Sequence, residues 1–591
     1  MRLFLKQVLH LLGQDKKKLP FIVMIFLIGS ILDLLGIGLI APYIALLADV
    51  DVFSGPIGNI ISFTGFPQEK EPLLIVIGYT LLVVFIVKAI FSIWINKIIV
   101  QFSERQHVRL ISFLMSSYQS LSYVEYIRRN SAEYVYSIHQ LSNQYANHVV
   151  SPLLRMVSDG LVVSVVIIFL ALQSPEALAL LVGLLSLVMF LYDALFRKKM
   201  GYYGEQCNLA SEKIMQGVSE GIEGLKEIRI LGKEKYFYQN VMKKSNLLAL
   251  FAVKSSMVSM SLRYLLELTM IIFVVMLVLG TLLFGDDVDF LLPTISAFGV
   301  ASLRLFPAVN TFMQSSMQMR YGRNSVSRLF NDVKEIKKSE KKYSNAGRQP
   351  TQIHEDFQSL TLKQVHFFYP DSKYNALDGI SLKIHAGESI GFIGPSGSGK
   401  TTLLDTLLGL FKPQKGCIEY NERNINKNLR EWQSQVAYIP QQVFLIDGTI
   451  RQNVTLGVND DEIDENKLHE SLRQARLMDL VETLPQGVNT VLGERGVRFS
   501  GGQRQRVALA RAFYHGRNVL IMDEATSALD NATEGEIVRE IELLKGSKTM
   551  IVIAHRLTTL KHCDRIYELR GGKIINMGSY NEVIGAENGK M

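Results

Sequence analysis

Gly394-Pro395-Ser396-Gly397-Ser398-Gly399-Lys400-Thr401-Thr402 matches the pattern G-x-x-x-x-G-K-[ST], which predicts a phosphate-binding loop. Because its glycines carry no Cβ, consecutive backbone N–H groups can surround an anionic phosphate. Lys400 is expected to reach the β- and γ-phosphates, and the Thr401 hydroxyl to bind Mg²⁺. The flanking residues fit, since 388–393 has the pattern of a short buried strand and 402–408 that of a helix. An ordinary Gly/Ser turn between a strand and a helix is the alternative.

Two further motifs follow this loop along the chain. Residues 518–522 form an apolar run that ends in Asp523 and Glu524, as expected of a buried parallel strand that delivers carboxylates at its carboxyl end. Asp523 suits the coordination shell of Mg²⁺, and Glu524 suits a general base that polarises an attacking water. Between the two motifs, 499–506 is a Ser/Gly-rich turn that opens a helix. Such a helix N-terminus can hold another triphosphate.

With these three motifs in order, the chain resembles the nucleotide-binding domain of the ATP-binding cassette (ABC) family. The family signature usually begins with leucine, where this chain has Phe499. The resemblance assigns adenine stacking to Tyr369, contact with Mg²⁺ and the attacking water to Gln441, the D-loop to 527–530, and contact with the γ-phosphate to His555. It implies an α/β P-loop domain that hydrolyses ATP with Glu524, His555 and Gln441 as catalytic residues.

The resemblance also defines the predicted ligand sets. Mg²⁺ would be held by Thr401, Gln441 and Asp523. The ATP-binding set comprises Tyr369, Gly394, Pro395, Ser396, Gly397, Ser398, Gly399, Lys400, Thr401, Thr402, Ser500, Gly501, Gly502, Gln503 and Asp523.

The composition indicates a membrane protein with two or more domains. The chain has 591 residues, of which 48% are apolar, and a net charge of +8. Residues 1–345 hold 34 Lys and Arg against 25 Asp and Glu, whereas the remainder holds 29 against 30. A positive excess confined to the apolar half suits loops that face an anionic inner leaflet. No basic run with interleaved aromatic residues indicates nucleic acid, and three scattered cysteines indicate neither a disulfide framework nor a metal site.

Six apolar segments are long enough to cross a hydrocarbon layer of roughly 30 Å. They lie at about 19–43, 72–96, 149–172, 175–196, 264–284 and 290–313. The loops after the first, third and fifth segments are acidic, whereas the N-terminus and the loops after the second and fourth are rich in Lys and Arg. By the positive-inside rule, the N-terminus and the C-terminal half are cytoplasmic. The expected location is a bacterial inner membrane. The first segment is too long for a signal peptide and is predicted to be retained.

The predicted fold class is therefore a membrane α-helical domain joined to an α/β P-loop nucleotide-binding domain. The polar segments 97–148 and 197–263 keep helical periodicity, so the six transmembrane helices are expected to have long cytoplasmic extensions. Within them, 126–130 and 220–228 resemble the short coupling helices of the family, with solvated hairpins as the alternative. The predicted domains are an ABC exporter transmembrane domain (1–330), a polar linker (331–352) and the nucleotide-binding domain (353–591).

One chain is not expected to be enough for function. In the ABC family, the signature turn of one domain closes on the nucleotide held by another, so Ser500–Gln503 would act on the Lys400 site of a second copy. The chain carries one membrane half and one cassette, which implies a half-transporter that works as a homodimer with two hydrolysing sites.

Several charged residues fall inside the predicted spans, where each costs about 2.5–3.5 kcal/mol. Arg304 lies in the sixth span, Lys88 in the second, and Arg263 opens the fifth. Cations that converge on one cavity suggest an anionic cargo such as a phosphate or pyrophosphate headgroup. Internal ion pairing is the alternative, above all for Arg155 with Asp159 and for Arg263 with Glu267.

The stretches 31–43 and 303–310 resemble the PglK-type flippases of lipid-linked oligosaccharides. That resemblance implies that Lys88, Arg263 and Arg304 face the cavity and bind a pyrophosphate, although some members have a further arginine where this chain has Thr311. The first hypothesis is an ATP-driven flippase that moves a polyprenyl-pyrophosphate oligosaccharide to the outer leaflet. The alternatives are a lipid A-type or multidrug amphiphile exporter, and an ATPase that gates a channel or regulates a partner.

Overall fold

The protein is described here by a computed structural model. It covers residues 2–47, 70–284, 291–343, 356–370, 372, 374–493, 496–524, 531–553 and 560–588. The chain forms two compact units, one of Met1–Leu121 with Arg129–Lys338, and one of Ser122–Arg128 with Ser339–Met591.

The first unit is helical throughout its described residues. In chain order to residue 343 the helices are α1 Arg2–Leu12, α2 Leu19–Leu47, α3 Lys70–Gln119, α4 Tyr123–Tyr126, α5 Ser131–Val135, α6 Ser142–Tyr145, α7 Ser151–Gln173, α8 Pro175–Glu223, α9 Leu225–Ile230, α10 Glu234–Phe284, α11 Leu291–Tyr321 and α12 Arg323–Tyr343. Helix α4 groups with the second unit. The π-helical stretches Tyr136–Leu141 and Ala146–Val150 join α5, α6 and α7 into one continuous helix.

Five helical segments in the described part of the chain are long and apolar enough to cross a membrane. They are Arg2–Ile40, Glu71–Gln119, Ser131–Gln173, Pro175–Glu223 and Glu234–Gly280. Large apolar side chains such as Phe190 and Ile93 are 71% exposed, as expected where lipid replaces water. The chain is thus a multi-pass membrane protein. The sixth predicted span, 290–313, falls almost entirely within α11.

The predicted extensions of the spanning helices are confirmed. Helices α3, α8 and α10 contain 50, 49 and 51 residues. At 1.5 Å per residue each is about 75 Å long, more than twice the hydrocarbon thickness of roughly 30 Å.

The predicted linker is in part helical. Residues 331–343 continue α12, and 344–352 lie outside the described residues. Four apolar side chains of α12 are buried at helical spacing, namely Val326, Leu329, Val333 and Ile336. The polar composition of the segment did not reveal this buried face. On the same helix, Asp332 accepts hydrogen bonds from Arg129 Nη1 at 2.9 Å and from the Tyr118 hydroxyl at 3.0 Å. This stretch is therefore packed rather than a solvated connection.

The second unit contains two sheets. The strands are β1 Ser359–Phe367, β2 Leu377–His385, β3 Ser389–Ile393, β4 Lys415–Tyr420, β5 Arg423–Asn424, β6 Val436–Ile439, β7 Val519–Asp523, β8 Thr549–Ile553, β9 Arg565–Arg570 and β10 Lys573–Gly578. The helices are α13 Lys400–Leu407, α14 Leu429–Gln435, α15 Ile450–Val454, α16 Glu465–Gln474, α17 Met478–Thr483, α18 Gly501–His515, α19 Asn531–Leu543 and α20 Tyr580–Asn588.

The larger sheet has the strand order β10-β9-β3-β8-β7-β6. All its neighbours pair in parallel except β10 with β9. Strands β7 and β8 are almost entirely buried, as expected of a parallel sheet covered on both faces. The smaller sheet is antiparallel, in the order β2-β1-β4-β5. The predicted fold class is confirmed.

Helix α4 lies slightly before the predicted coupling segment 126–130. It begins after Ser122, whose hydroxyl accepts a hydrogen bond from Glu125 N at 3.3 Å. The Tyr123 ring lies 5.7 Å from that of Phe411, and Val124 packs against the core beneath α13. An aromatic contact therefore holds α4 within the second unit.

In the first unit, α8 approaches the end of α11 closely at Gly204. A Cβ on Gly204 would lie 2.0 Å from the Tyr321 carbonyl oxygen, a distance at which the backbone must shift. One turn earlier, a Cβ on Gly201 would lie 3.9 Å from the Arg320 carbonyl oxygen, which is an ordinary contact. The packing of these helices thus requires glycine at 204 and tolerates a methyl group at 201.

Gly204→Ala is expected to lower the free energy of unfolding by about 1–3 kcal/mol, because it overpacks the α8–α11 contact. Gly201→Ala is the matched control, and its better helix propensity should leave stability unchanged or raise it by up to about 1 kcal/mol. Thermal unfolding of the two purified variants in detergent compares them. Equal midpoints would show that the helices do not pack as described.

Candidate functional site

The predicted phosphate loop lies between β3 and α13. Gly394 has φ of +147°, and a Cβ there would lie 2.1 Å from the Leu569 carbonyl oxygen. Gly399 has φ of +104°, and its Cβ would lie 2.6 Å from the Ala376 carbonyl oxygen. Both positions therefore require glycine for conformation and for space. The loop conformation follows from its own sequence and from the strands beside it.

Lys400 is buried at the start of α13 and folds back over this loop. Its ammonium group donates hydrogen bonds to the carbonyl oxygens of Gly394 at 2.7 Å and Pro395 at 3.0 Å. Burial lowers the pKa of Lys400, and the carboxylates of Glu524 and Asp523 oppose that effect. The fold thus places a cation within the electrostatic reach of both predicted acidic residues.

The two acidic residues lie at the carboxyl end of β7. Asp523 is the last residue of the strand and pairs with Ile553 of β8. Glu524 follows in the left-handed region, with φ of +49°, and its N–H donates to the Ile553 carbonyl oxygen at 2.9 Å. Gln441 Nε2 donates to Glu524 Oε2 at 2.6 Å, across 83 residues of sequence. A non-glycine residue in this strained conformation is typical of functional sites.

Tyr369 lies beside the first turn of α13. Its hydroxyl and that of Thr402 are 3.1 Å apart, within hydrogen-bond distance. Its ring makes edge-on contacts with Phe367 at 5.3 Å and Phe411 at 5.6 Å. The ring is therefore held next to the phosphate loop, as a platform for an adenine base requires.

The signature turn opens helix α18. The Ser500 hydroxyl accepts from Gln503 N at 3.2 Å, while Ser500 N donates to Gln503 Oε1 at 2.9 Å, which forms a reciprocal capping box. Phe499, which replaces the usual leucine, is buried in the core cluster beside this helix. Within the described residues, no recorded hydrogen bond joins Ser500–Gln503 to the phosphate loop of the same chain.

The residues predicted to hold Mg²⁺ have suitable chemistry, since Mg²⁺ prefers oxygen ligands and is bound in proteins by few carboxylates together with phosphates. Thr401 exposes its hydroxyl in the first turn of α13, and Asp523 ends β7. Because Gln441 Nε2 binds Glu524, its amide oxygen is the atom suited to a cation. The described residues contain no cluster of three His, Cys, Asp or Glu that could hold a metal alone, so phosphate oxygens would have to complete the shell.

Two of the predicted catalytic features cannot be located in the structure. His555 and the D-loop at 527–530 lie outside the described residues.

In the membrane unit, Lys88 and Arg304 meet at a carboxylate. Lys88 Nζ lies 2.8 Å from Asp33 Oδ1, and Arg304 donates to Asp33 Oδ2 from Nε at 3.0 Å and from Nη2 at 2.6 Å. Arg263 instead pairs with Glu267 on its own helix at 2.8 Å, where both side chains are more than half exposed. The recorded ion pairs therefore bring two of the three predicted cargo-binding cations together and leave the third apart.

Comparison with known proteins identifies both units. The family model for the ABC transporter matches residues 377–527, and that for the ABC transporter transmembrane region matches residues 21–305. The chain belongs to the ABC transporter family. With one membrane region and one ATPase domain it has the architecture of a half-transporter, and it is an ATP-hydrolysing transporter.

Individual relatives of this transporter differ in how much they share. It is 31% identical over 423 residues to the ABC transporter ATP-binding protein YwjA of Bacillus subtilis. The aligned region covers 69% of this chain and 70% of that protein. It is 28% identical over 491 residues to the ATP-dependent lipid A-core flippase of Ralstonia nicotianae, over 83% of the chain and 80% of the flippase. The protein of that name from Cupriavidus pinatubonensis is 41% identical over 229 residues, but the match spans only 39% of its length.

A solved structure of a bacterial Atm1-family ABC exporter with ATP bound shares the fold. Its TM-score is 0.76 with 97% of this chain and 96% of that chain covered, at 20% sequence identity.

Asp405, which the sequence analysis gave no role, belongs to the surroundings of the ATP site of this transporter. Burial in α13, and secondarily the charge of Asp523, raises the pKa of its carboxyl group to about 6. The same carboxyl group acts electrostatically on Tyr123 of α4. The signal in the sequence was a single carboxylate in the leucine-rich run 403–408, but only the fold brings it within the electrostatic reach of Asp523 at the end of β7.

Tyr369→Ala is expected to weaken ATP binding about fivefold or more, the effect of losing one aromatic contact of about 1 kcal/mol. Tyr369→Phe keeps the ring and loses only the hydroxyl contact with Thr402, so its affinity should stay close to that of the wild type. Displacement of a fluorescent ATP analogue measures both. Equal weakening in the two variants would mean that the hydroxyl, and not the ring, carries the effect.

Asp405→Asn is expected to stabilise the transporter at pH 7.5. Because the folded-state pKa of about 6 exceeds the ordinary 3.8, the favourable protonated form is lost as pH rises from about 4 through 6, and above that range the ionised carboxyl group lowers the free energy of unfolding. The stability gap between variant and wild type should therefore widen from pH 5 to pH 7.5. Thermal unfolding in EDTA measures this gap. Asp461→Asn at an exposed position is the control, and a constant gap in Asp405→Asn would contradict the raised pKa.

Proposed function

We propose that this transporter couples ATP hydrolysis to the movement of a lipid-type amphiphile with an anionic headgroup, from the inner to the outer leaflet. The observation that carries the proposal is the contact of Gln441 with Glu524 at the strand end that also holds Asp523, within the electrostatic reach of Lys400. A channel gate or regulator would not need a general base, so this contact disfavours the ATPase-gated channel.

The relatives favour lipid A over the polyprenyl-pyrophosphate oligosaccharide that the sequence analysis put first. Several of them are named ATP-dependent lipid A-core flippase, and one matches across 80% of its length. We therefore propose a lipid A-type cargo.

We propose the hydrolytic roles that the resemblance to the ABC family implies. Lys400 and the backbone N–H groups of the loop would hold the β- and γ-phosphates, and Tyr369 would stack on adenine. Glu524, aligned by Gln441, would accept a proton from the attacking water, with His555 at the γ-phosphate. Bound Mg²⁺, held by Thr401, Gln441 and Asp523, would neutralise phosphate charge.

A homodimer is the proposed functional unit. The N-terminus of α18 carries Ser500, Gly501 and Gly502 and is held by its capping box. By resemblance to the ABC family, it would face the nucleotide of a second copy. We propose the domain division 1–330, 331–352 and 353–591, with the helical part of the linker noted above, in a bacterial inner membrane with both the N-terminus and the ATPase domain cytoplasmic.

In the membrane unit, Lys88 and Arg304 are the proposed contacts of the anionic headgroup. A groove of about 260 Å³ between α2 and α7 is lined by apolar side chains alone, among them Leu34, Leu35 and Phe169. Leu34 and Leu35 directly follow Asp33 in α2. Such a groove suits an acyl chain of an amphiphile better than a compact polar solute.

Glu524→Gln should keep ATP binding and reduce hydrolysis by two or more orders of magnitude, because it removes the general base. It should also accumulate an ATP-loaded dimer, visible by native mass spectrometry. Full ATPase activity in this variant would remove Glu524 from the proposed role.

Transport is tested in proteoliposomes with the wild type and with Glu524→Gln as the inactive control. Fluorescent lipid A should move to the opposite leaflet with ATP in the wild type only, and lipid A should stimulate ATP hydrolysis. Stimulation and movement of a polyprenyl-pyrophosphate oligosaccharide instead of lipid A would reverse the choice of cargo. Stimulation by neither, with normal basal hydrolysis, would contradict a lipid flippase.

A further inference from the structure

Three charged side chains from three membrane helices meet at Asp33. The carboxylate belongs to α2, Lys88 to α3 and Arg304 to α11. One carboxylate oxygen faces the Lys88 ammonium at 2.8 Å, and the other accepts both Nε and Nη2 of Arg304, at 3.0 and 2.6 Å. The Asp33 side chain is only 3% exposed, whereas Lys88 is 16% and Arg304 is 37% exposed. The anion is thus enclosed while one of its cations remains accessible.

The charges of this cluster do not cancel. Asp33 carries one negative charge, whereas Lys88 and Arg304 carry one positive charge each. Asp159 on α7 interacts electrostatically with Arg304, Arg155 and Asp33, and with Arg155 counted beside it the two residues of α7 add no net charge. Within the described residues, the cluster therefore keeps an excess of about one positive charge. An excess charge within the hydrocarbon layer is costly unless an anion compensates it, so the cluster is suited to a further anionic group.

The contact between Asp33 and Arg304 does not use the two-oxygen geometry that a guanidinium group favours. A guanidinium group has parallel N–H donors that match two oxygens of one anion, but here Nε and Nη2 both bind the single oxygen Oδ2. A phosphate group could offer one oxygen to each of these donors and a third to Lys88. The positions that Asp33 occupies are those that a phosphate would use.

We propose that Asp33 is an internal competitor for the headgroup site, so that the cargo phosphate binds Arg304 and Lys88 by displacing the Asp33 carboxylate. This inference rests on the proposed function and adds a residue that sets its affinity. Displacement leaves an ionised carboxylate without its cations at membrane depth, which costs free energy and weakens cargo binding. Asp33 would thereby prevent two cations from holding the phosphate too tightly for release.

The test compares Asp33→Asn with the wild type in proteoliposomes. Asparagine keeps the size of the side chain and removes its charge, so phosphorylated lipid A should stimulate ATPase activity half-maximally at about a tenfold lower concentration. Transport at saturating lipid A should become slower, because release is slower. Lipid A stripped of its phosphates should show no shift. A merely structural Asp33 would leave the half-maximal concentration unchanged or raise it, and either result would overturn the inference while leaving the proposed function intact.

Asp193→Asn is the matched control. Asp193 also pairs with an arginine of α11, Arg320, from another helix of the same unit, and it has no recorded contact with Asp33. Its half-maximal lipid A concentration should equal that of the wild type. A shift as large as that of Asp33→Asn would mean that any lost ion pair on α11 has this effect, and it would also overturn the inference.

A second pair of variants covers the case in which Asp33→Asn does not fold. Lys88→Gln with Asp33→Asn has the same net charge in the cluster as the wild type, and it is compared with Lys88→Gln alone. The double variant should respond to about tenfold less lipid A than the single variant, because only the competitor differs. Equal responses would contradict competition. No stimulation of the wild type by lipid A would overturn both the proposed function and this inference.

Discussion

The parallel pairing of β3 with β8 and of β8 with β7 is the constraint on which the ATP site depends. Since parallel strands end at the same edge of a sheet, the phosphate loop after Ile393 and the carboxylates after Met522 are delivered to the same edge, with β8 between them. The N–H of Glu524 continues that pairing to Ile553, which holds the residue at positive φ and turns it toward Gln441. A shift of β7 by one residue would reverse the faces of its side chains and separate these groups.

The sequence predicts this part of the protein well because the chemistry is local. A left-handed backbone at Gly394 and Gly399 needs glycine at fixed spacing, and that need is visible without any partner. The helical part of the predicted linker, 331–343, was not foreseen for the opposite reason, because polar residues outnumber the few apolar side chains that pack. The half-buried position of Asp405 near Asp523 could likewise not be predicted, since it depends on contacts between residues far apart in sequence.

The ion pairs of the membrane unit are a second case in which the sequence alone could not identify the partners. The sequence analysis considered internal ion pairing in general, but it could name partners only for residues four apart, such as Arg263 with Glu267, because helical spacing is the only contact that a sequence shows directly. Asp33 and Arg304 are 271 residues apart, and only the packing of α2 against α11 brings them together. The contacts of Asp33 with Lys88 and Arg304 are the internal pairing that the sequence analysis gave as the alternative, and the anion cavity stays a prediction.

Helix α3 lies on one continuous stretch of chain between the charged cluster at Asp33 and the aromatic residues near the ATP site. It carries Lys88 and ends at Gln119, about 47 Å further along its axis. A short turn leads to α4, whose Tyr123 ring contacts Phe411, and Phe411 in turn contacts Tyr369 beside the phosphate loop. Lys88 and Tyr123 therefore lie on one stretch of chain, and Phe411 connects Tyr123 with Tyr369 within the second unit.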